Sequence, residues 1–340
     1  MLILGEGGSK VRWIGIDEAG YGPNLGPLVM TAVVAEASCG RVEEGDPWRP
    51  APDLWRDLAH AVDRAGGDPS RLWVDDSKRI LTGGKGRDRL EATCLTLLDA
   101  VGLSVPVDPA ALFGCLHAGD ERETELARWR CEGESLGRWP DEEVLACIRE
   151  AREGRALEPP SGGWRLVAVR SVVVGPECFN RRLDQLGGKA RVHFAAFREL
   201  LRFAWELAAD GTPTEVLGDK HGGRHYYLGP LYAAFPGVWI ERGAEGPARS
   251  EYRLRAPGHA MSLSLAPRAE AVSGLVALAS IVSKTLREVW MDRFNAYWTG
   301  RVEGLRPTAG YPLDAVRFRR AIEPLALAAG LALDLWWRRK

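Results

Sequence analysis

"GIDEAGYGPNLGP", Gly15 to Pro27, puts two adjacent carboxylates, Asp17 and Glu18, at the end of an apolar run and directly before a segment rich in glycine and proline. The flanking stretches, Val11 to Asp17 and Leu28 to Ala35, are short and rich in valine, isoleucine and alanine, so both read as strands that can pair as a hairpin. A hydrophobic strand that ends in two like charges needs a reason, because neighbouring carboxylates repel each other unless something neutralises them.

Two further acids sit at ends of regular elements. Asp219 closes the short strand in "TEVLGDKHGG", and Glu270 opens a helical pattern running to about Phe294, with Leu275, Leu278, Ile281, Val282, Leu286, Val289 and Trp290 forming an amphipathic face. Acids crowded at strand ends predict a site for a hard, oxygen-seeking cation, Mg²⁺ or Mn²⁺. Two such ions roughly 3.5–4 Å apart are the usual apparatus for in-line displacement at a phosphodiester. Spacing leaves open whether the four acids converge, and Glu270 alone equally suits the positive end of a helix.

The remaining pattern is mixed α/β. "LWVDDSKRILTGGKGRDRLEATCLTLLDAVG" places a polar loop before a helix with Leu90, Cys94, Leu97, Leu98 and Val101 at helical spacing. From Leu103 to Gly163 the pattern breaks into charge-rich helical pieces, an insertion or small helical lobe. "WRLVAVRSVVVG" supplies one or two strands, helices follow from about Pro176 and over "VHFAAFRELLRFAWELAAD", and "EYRLRAPGHAMSLSLAPRAEA" adds further strand. A mixed sheet flanked by helices is the expected architecture.

The chain has 340 residues, 46% hydrophobic and 27% charged, with a formal charge of −1, so any polynucleotide partner must be met by local clusters of basic residues. Six cysteines without a C-x-x-C pair argue against a disulfide scaffold or zinc site and read as reduced, mostly buried thiols. No secretory leader or long apolar stretch is visible, so a cytoplasmic setting is expected. "DKHGGRHYY" offers Lys220, His221, Arg224, His225, Tyr226 and Tyr227 as a basic and aromatic surface suited to phosphate and base contacts. The C-terminal "LALDLWWRRK" reads as a closing helix with a solvated end.

The motif "GIDEAGYGPNLGPLVMTAVV" resembles the opening signature of ribonuclease H type 2, the ribonuclease HII family. "DDSK" at Asp75–Lys78, "GPECFNRRLDQL", "VLGDKHGG", "EAVSGLVALASIVSK" and "GYPLDAVRF" resemble later motifs of that family in the same order. The resemblance implies a ribonuclease H-like α/β fold with a mixed sheet flanked by helices, a helical insertion and a helical C-terminal extension. Its parts would be 1–102 and 164–300 for the nuclease domain, 103–163 for the insertion and 301–340 for the extension. It further implies a metal-dependent endonuclease that hydrolyses the RNA strand of RNA–DNA hybrids, leaving 5′-phosphate and 3′-hydroxyl ends. Asp17, Glu18, Asp219 and Glu270 would be the catalytic acids holding two Mg²⁺ or Mn²⁺ ions. Gly20, Tyr21, Gly22, Lys78, Ser280, Lys284 and Tyr311 would meet the substrate, an RNA–DNA hybrid or ribonucleotide-containing duplex. Two positions depart from the family pattern: Tyr21 stands where it has arginine, and Glu270 where it has aspartate. A non-catalytic nucleic-acid-binding protein of the same fold, or a nuclease for another structured nucleic acid such as a DNA junction, are the alternative readings.

Overall fold

A computed structural model describes residues 10–38, 51–130 and 139–339. Two long strands, β1 (Lys10–Ala19) and β2 (Leu28–Ser38), form the expected antiparallel hairpin, with Asp17 opposite Thr31. After α1 (Leu54–Asp57), the short strands β3 (Val62–Asp63) and β4 (Leu72–Trp73) make a small parallel pair. Helices α2 (Ser77–Thr82), α3 (Gly86–Ala100), α4 (Pro109–Leu116) and α5 (Glu142–Glu153) precede β5 (Arg165–Val174), a single strand. Then come α6 (Pro176–Leu186), α7 (Lys189–Leu207), β6 (Thr214–Asp219), α8 (Leu228–Ala234), β7 (Trp239–Glu245), β8 (Ser250–Ala256) and β9 (His259–Ala266). The helices α9 (Gly274–Thr299) and α10 (Pro312–Ala328) complete the described chain.

The main sheet has seven strands in the order β5-β2-β1-β6-β9-β8-β7. Its centre is parallel, β1 beside β6 and β6 beside β9, while the pairs on either side are antiparallel. Strand periodicity sends alternate residues to opposite faces. Trp13, Val29 and Val33 join a core with α3 and α9, whereas Ile14, Ile16, Met30 and Val34 join a second core with α6 and α7. The sheet is therefore covered on both faces, as its parallel centre requires. Gly15 lets β1 and α9 touch backbone to backbone: a Cβ there would stand 2.4 Å from the Leu275 carbonyl carbon and the Val276 nitrogen.

Several sequence expectations change. The long helix starts at Gly274, because the Ser273 side chain caps the Val276 N–H at 3.5 Å, so Glu270 lies in the preceding short turn Ala269–Ala271. That helix is not amphipathic over its first half: Gly274 to Arg287 is buried throughout, since the sheet lies on one side and α3 with α4 on another. The 103–163 segment, read as an insertion or small helical lobe, contributes Leu112, Phe113, Leu126, Trp129, Val144 and Ile148 to the same core as α9, a packing compatible with that reading. In "DKHGGRHYY", Lys220, His221 and Tyr227 are interior, and the Lys220 ammonium donates to Ser250 Oγ at 2.9 Å, so only part of that stretch offers a surface. Of the described cysteines, Cys94 and Cys178 are buried and Cys115 and Cys147 exposed; Cys39 and Cys131 lie outside the described residues. The C-terminus is not a closing helix: after a single turn at Leu333–Leu335, Trp336 and Arg338 are both buried. Among the described residues no helix is long and apolar enough to cross a membrane.

Candidate active site

The parallel register brings the carboxyl ends of β1 and β6 side by side, with Ile16 opposite Gly218. Asp17 and Glu18 therefore end one strand where Asp219 ends its neighbour. The next parallel strand, β9, ends at Ala266 opposite Asp219, and the chain turns within four residues to Glu270. Asp219 accepts the Ala269 N–H at 3.3 Å, which ties that turn to the end of β6. Carboxyl ends of parallel strands are where open α/β sheets present their sites.

A cleft of about 350 Å³ lies there. It is lined by Asp17, Glu18, Asp219 and Glu270, by Gly20, Tyr21 and Gly22, and by Lys78, Ser280, Lys284 and Tyr311. Every catalytic and substrate residue that the motif resemblance implies thus borders one cavity, whereas none of Lys220, His221, Arg224, His225, Tyr226 and Tyr227 lines it. Asp76 and Ser77 border it as well and were not named. Asp76 caps α2 by accepting the Lys78 N–H at 2.8 Å, which fixes Lys78 at the cleft's edge.

Electrostatically the cleft is unbalanced. Asp17 is only 9% exposed, and burial first, then the Glu18 charge, raises its pKa well above the ordinary aspartate value. Burial and the Glu18 charge also raise Asp219; burial and the charges of Asp219 and Asp76 raise Glu270. The hydroxyl of Ser280 bonds the Asp17 carboxylate and pairs with Ser77 Oγ at 3.0 Å. Lys284 reaches the cleft already paired with Glu288 at 2.7 Å. Lys78 is exposed, and Tyr311 stands half-exposed on the rim with the Arg287 guanidinium 5.8 Å from its ring centre.

These donors are all hard oxygens, and the charges of Glu18 and Asp219 oppose the ionisation of Asp17. That donor set fits Mg²⁺ or Mn²⁺. Among the described residues no three His, Cys, Asp or Glu side chains are gathered closely enough to share one ion as they stand, so ligation requires side-chain rotation within the cleft.

Behind Glu18 lies a residue that the sequence reading missed. His193 on α7 is buried, its Nε2 is 3.7 Å from Glu18 Oε1, and neither ring nitrogen has a hydrogen-bond partner. The Tyr21 ring packs edge-on against it at 4.6 Å, with the Lys189 ammonium 4.8 Å from the Tyr21 ring centre. The signal in the sequence was a lone histidine inside the apolar run "VHFAAF", which by itself reads as core.

No protein-family model matches the chain, and no curated protein matches it. Solved structures similar to it include RNase HII from Archaeoglobus fulgidus in its complex with PCNA, at 14% sequence identity and a TM-score of 0.41, covering 97% of this chain and 95% of that one. Another is ribonuclease H2 from Pyrococcus horikoshii OT3, at 14% identity and a TM-score of 0.37, covering 96% and 92% of the two chains. A third is Bst-RNase HIII in complex with Mn²⁺, at 13% identity and a TM-score of 0.43, covering 98% and 67%. Ribonucleases of the HII and HIII kinds are thus among the solved structures the chain is similar to.

Proposed function

We propose that the protein is a metal-dependent endonuclease that hydrolyses the RNA strand of RNA–DNA hybrids, leaving 5′-phosphate and 3′-hydroxyl ends. The observation that carries this reading is the meeting of Asp17, Glu18, Asp219 and Glu270 in one cleft, bordered by groups suited to a nucleic-acid backbone. The hybrid substrate itself comes from the motif resemblance.

Asp17, Glu18, Asp219 and Glu270 would hold two Mg²⁺ or Mn²⁺ ions. When bound, the ions supply water activation and charge stabilisation at the leaving oxygen. Ser280, bonded to Asp17, keeps that carboxylate oriented. Lys78 contacts a backbone phosphate, which positions a duplex without reading its sequence. The glycines on either side of Tyr21 let a ribose approach the loop backbone closely. Tyr311 offers a ring face and a hydroxyl at the place where a 2′-hydroxyl distinguishes RNA from DNA. The inward packing of Tyr21 leaves the 20–22 backbone, rather than its side chain, as the recognition surface.

The test is cleavage of two labelled duplexes, one with a continuous RNA strand and one with a single ribonucleotide in DNA, in Mg²⁺, Mn²⁺ or EDTA. Cutting is expected with either metal and none with EDTA, and a folded Asp17→Asn variant should cut about a thousandfold more slowly. Near-unchanged cutting by that variant would refute the metal assignment.

A further inference from the structure

The loop between β1 and β2 is held from behind by the far end of the chain. Arg338 Nη2 donates to the Gly20 carbonyl at 2.5 Å and to the Pro23 carbonyl. The backbones are joined too: the Arg338 N–H donates to the Asn24 carbonyl at 2.8 Å, and Asn24 Nδ2 donates to the Arg338 carbonyl at 3.1 Å. The tail is anchored on α6, where Asn180 Nδ2 donates to the Trp337 carbonyl at 2.8 Å and Asn180 Oδ1 accepts the Arg339 N–H at 2.9 Å. A second buried arginine, Arg287 on α9, donates to the Ala309 carbonyl at 2.7 Å, and the Asn24 N–H reaches the Gly310 carbonyl at 3.1 Å. One clamp therefore holds both the Gly20–Gly22 edge and the segment carrying Tyr311.

Its composition is costly. Arg338 is 1% exposed with its guanidinium carbon 4.9 Å from the Phe179 ring centre; among the described residues no carboxylate pairs with it, and Nε and Nη1 have no hydrogen-bond partner. Burial and the nearby Arg287 charge press its pKa down to about 9, the direction expected of a buried cation without a carboxylate partner. An apolar side chain would spare that desolvation cost but leave the Gly20 and Pro23 carbonyls without their donor, so burial alone does not account for a guanidinium here.

Its effect on the loop does. A trans peptide points its C=O and N–H in opposite directions. With the Gly20 carbonyl drawn inward onto Arg338, the Tyr21 N–H is turned outward, away from the interior. Gly20 permits this with φ +88°, and a Cβ there would stand 2.3 Å from the Pro27 carbonyl oxygen. We propose that Arg338 is a positioning residue that fixes the Gly20–Gly22 backbone as a donor edge for a ribose or phosphate oxygen of the nucleic acid. This deepens the nuclease reading and rests on it.

The experiment compares the unaltered protein with Arg338→Met, which keeps volume but removes the donors, and Arg338→Lys, which keeps charge and a donor. It reads KM and kcat on the continuous hybrid, amide hydrogen exchange along the chain, and the melting temperature. The methionine variant should raise KM roughly tenfold with kcat within about twofold, and speed exchange at residues 20–25 selectively; lysine should restore part of both. Unchanged KM and unchanged local exchange in a protein that cuts overturn the clamp alone. Faster exchange spread evenly over the chain, with a lower melting temperature, marks a merely structural arginine and overturns it too. No cutting by the unaltered protein removes the nuclease reading instead.

Discussion

At the amino end of β1 the buried Arg12 guanidinium meets Glu36 at 2.6 Å and Asp210 at 2.9 Å, and its Nη1 donates to the Leu207 carbonyl at 2.6 Å. At the carboxyl end of the same strand, Asp17 is buried beside Glu18 and Asp219, and burial together with their charges outweighs the Ser280 hydroxyl and a backbone amide that favour its ionised form. One end compensates its charge and holds the Asp210 carboxyl well below the ordinary range, chiefly through the Arg12 hydrogen bond. The other end leaves its charge in excess and pushes Asp17 and Asp219 up. Within one strand, then, the first arrangement serves stability, and the second costs stability unless its charge is neutralised.

Breaking the two ends should give opposite results. Asp17→Asn removes the central carboxylate, so cleavage in Mg²⁺ should fall by about a thousandfold, the scale of losing a charge-stabilising group at the reacting centre. The same variant, measured metal-free, should melt at a higher temperature than the unaltered protein, because repulsion is relieved. Arg12→Met strands two carboxylates, one of them half-exposed, and should cost about 3 kcal/mol in urea unfolding, while cleavage per folded molecule stays within about twofold.

The pH dependence sharpens the contrast. Asp17, Asp219 and Glu270 have folded pKa values above the unfolded ones, so the folded state binds their protons more tightly. Their stabilising contribution is present at low pH and is lost as pH rises through the folded values, above about 4. Asp210 has the opposite sign: its contribution is present above the unfolded value near 3.9 and is lost as pH falls through its depressed folded value. Metal-free melting curves should therefore decline from the weakly acidic range toward neutrality. Mn²⁺ at a hundred times its Kd should add about 2.7 kcal/mol at neutral pH and reverse that decline. The smallest effect belongs to Glu270→Asp: shortening the carboxylate stem should change the ratio of Mn²⁺- to Mg²⁺-supported rates by about threefold, since Mg²⁺ demands near-octahedral geometry and Mn²⁺ tolerates more.

The end of β1 that carries the acids was legible because its signals are local: alternating apolar residues, then Asp17-Glu18, then glycine and proline. Helix α3 was legible for the same reason, with Leu90, Cys94, Leu97 and Leu98 all fully buried at the spacing read from the sequence. Convergence of Asp219 and Glu270 on Asp17 was not in the spacing; it follows from β6 and β9 running parallel to β1, and only the motif resemblance anticipated it. Arg338 was illegible, because two arginines and a lysine after Trp337 read as a solvated end and give no local sign that an anchor on α6 will bury one of them. His193 was hidden likewise by the apolar company it keeps on α7. Burial around α9 was misread because its outer side is covered by α3 and by α4 of the 103–163 segment, whose broken pattern gave no hint of where it docks.

The most direct test is calorimetric Mn²⁺ binding near pH 7.5 to the unaltered protein and to Asp17→Asn. Saturable binding to the first, lost or weakened at least about a hundredfold in the second, is the predicted result. Equal binding to both, or none to either, would contradict the claim that the carboxyl end of β1 is a cation site.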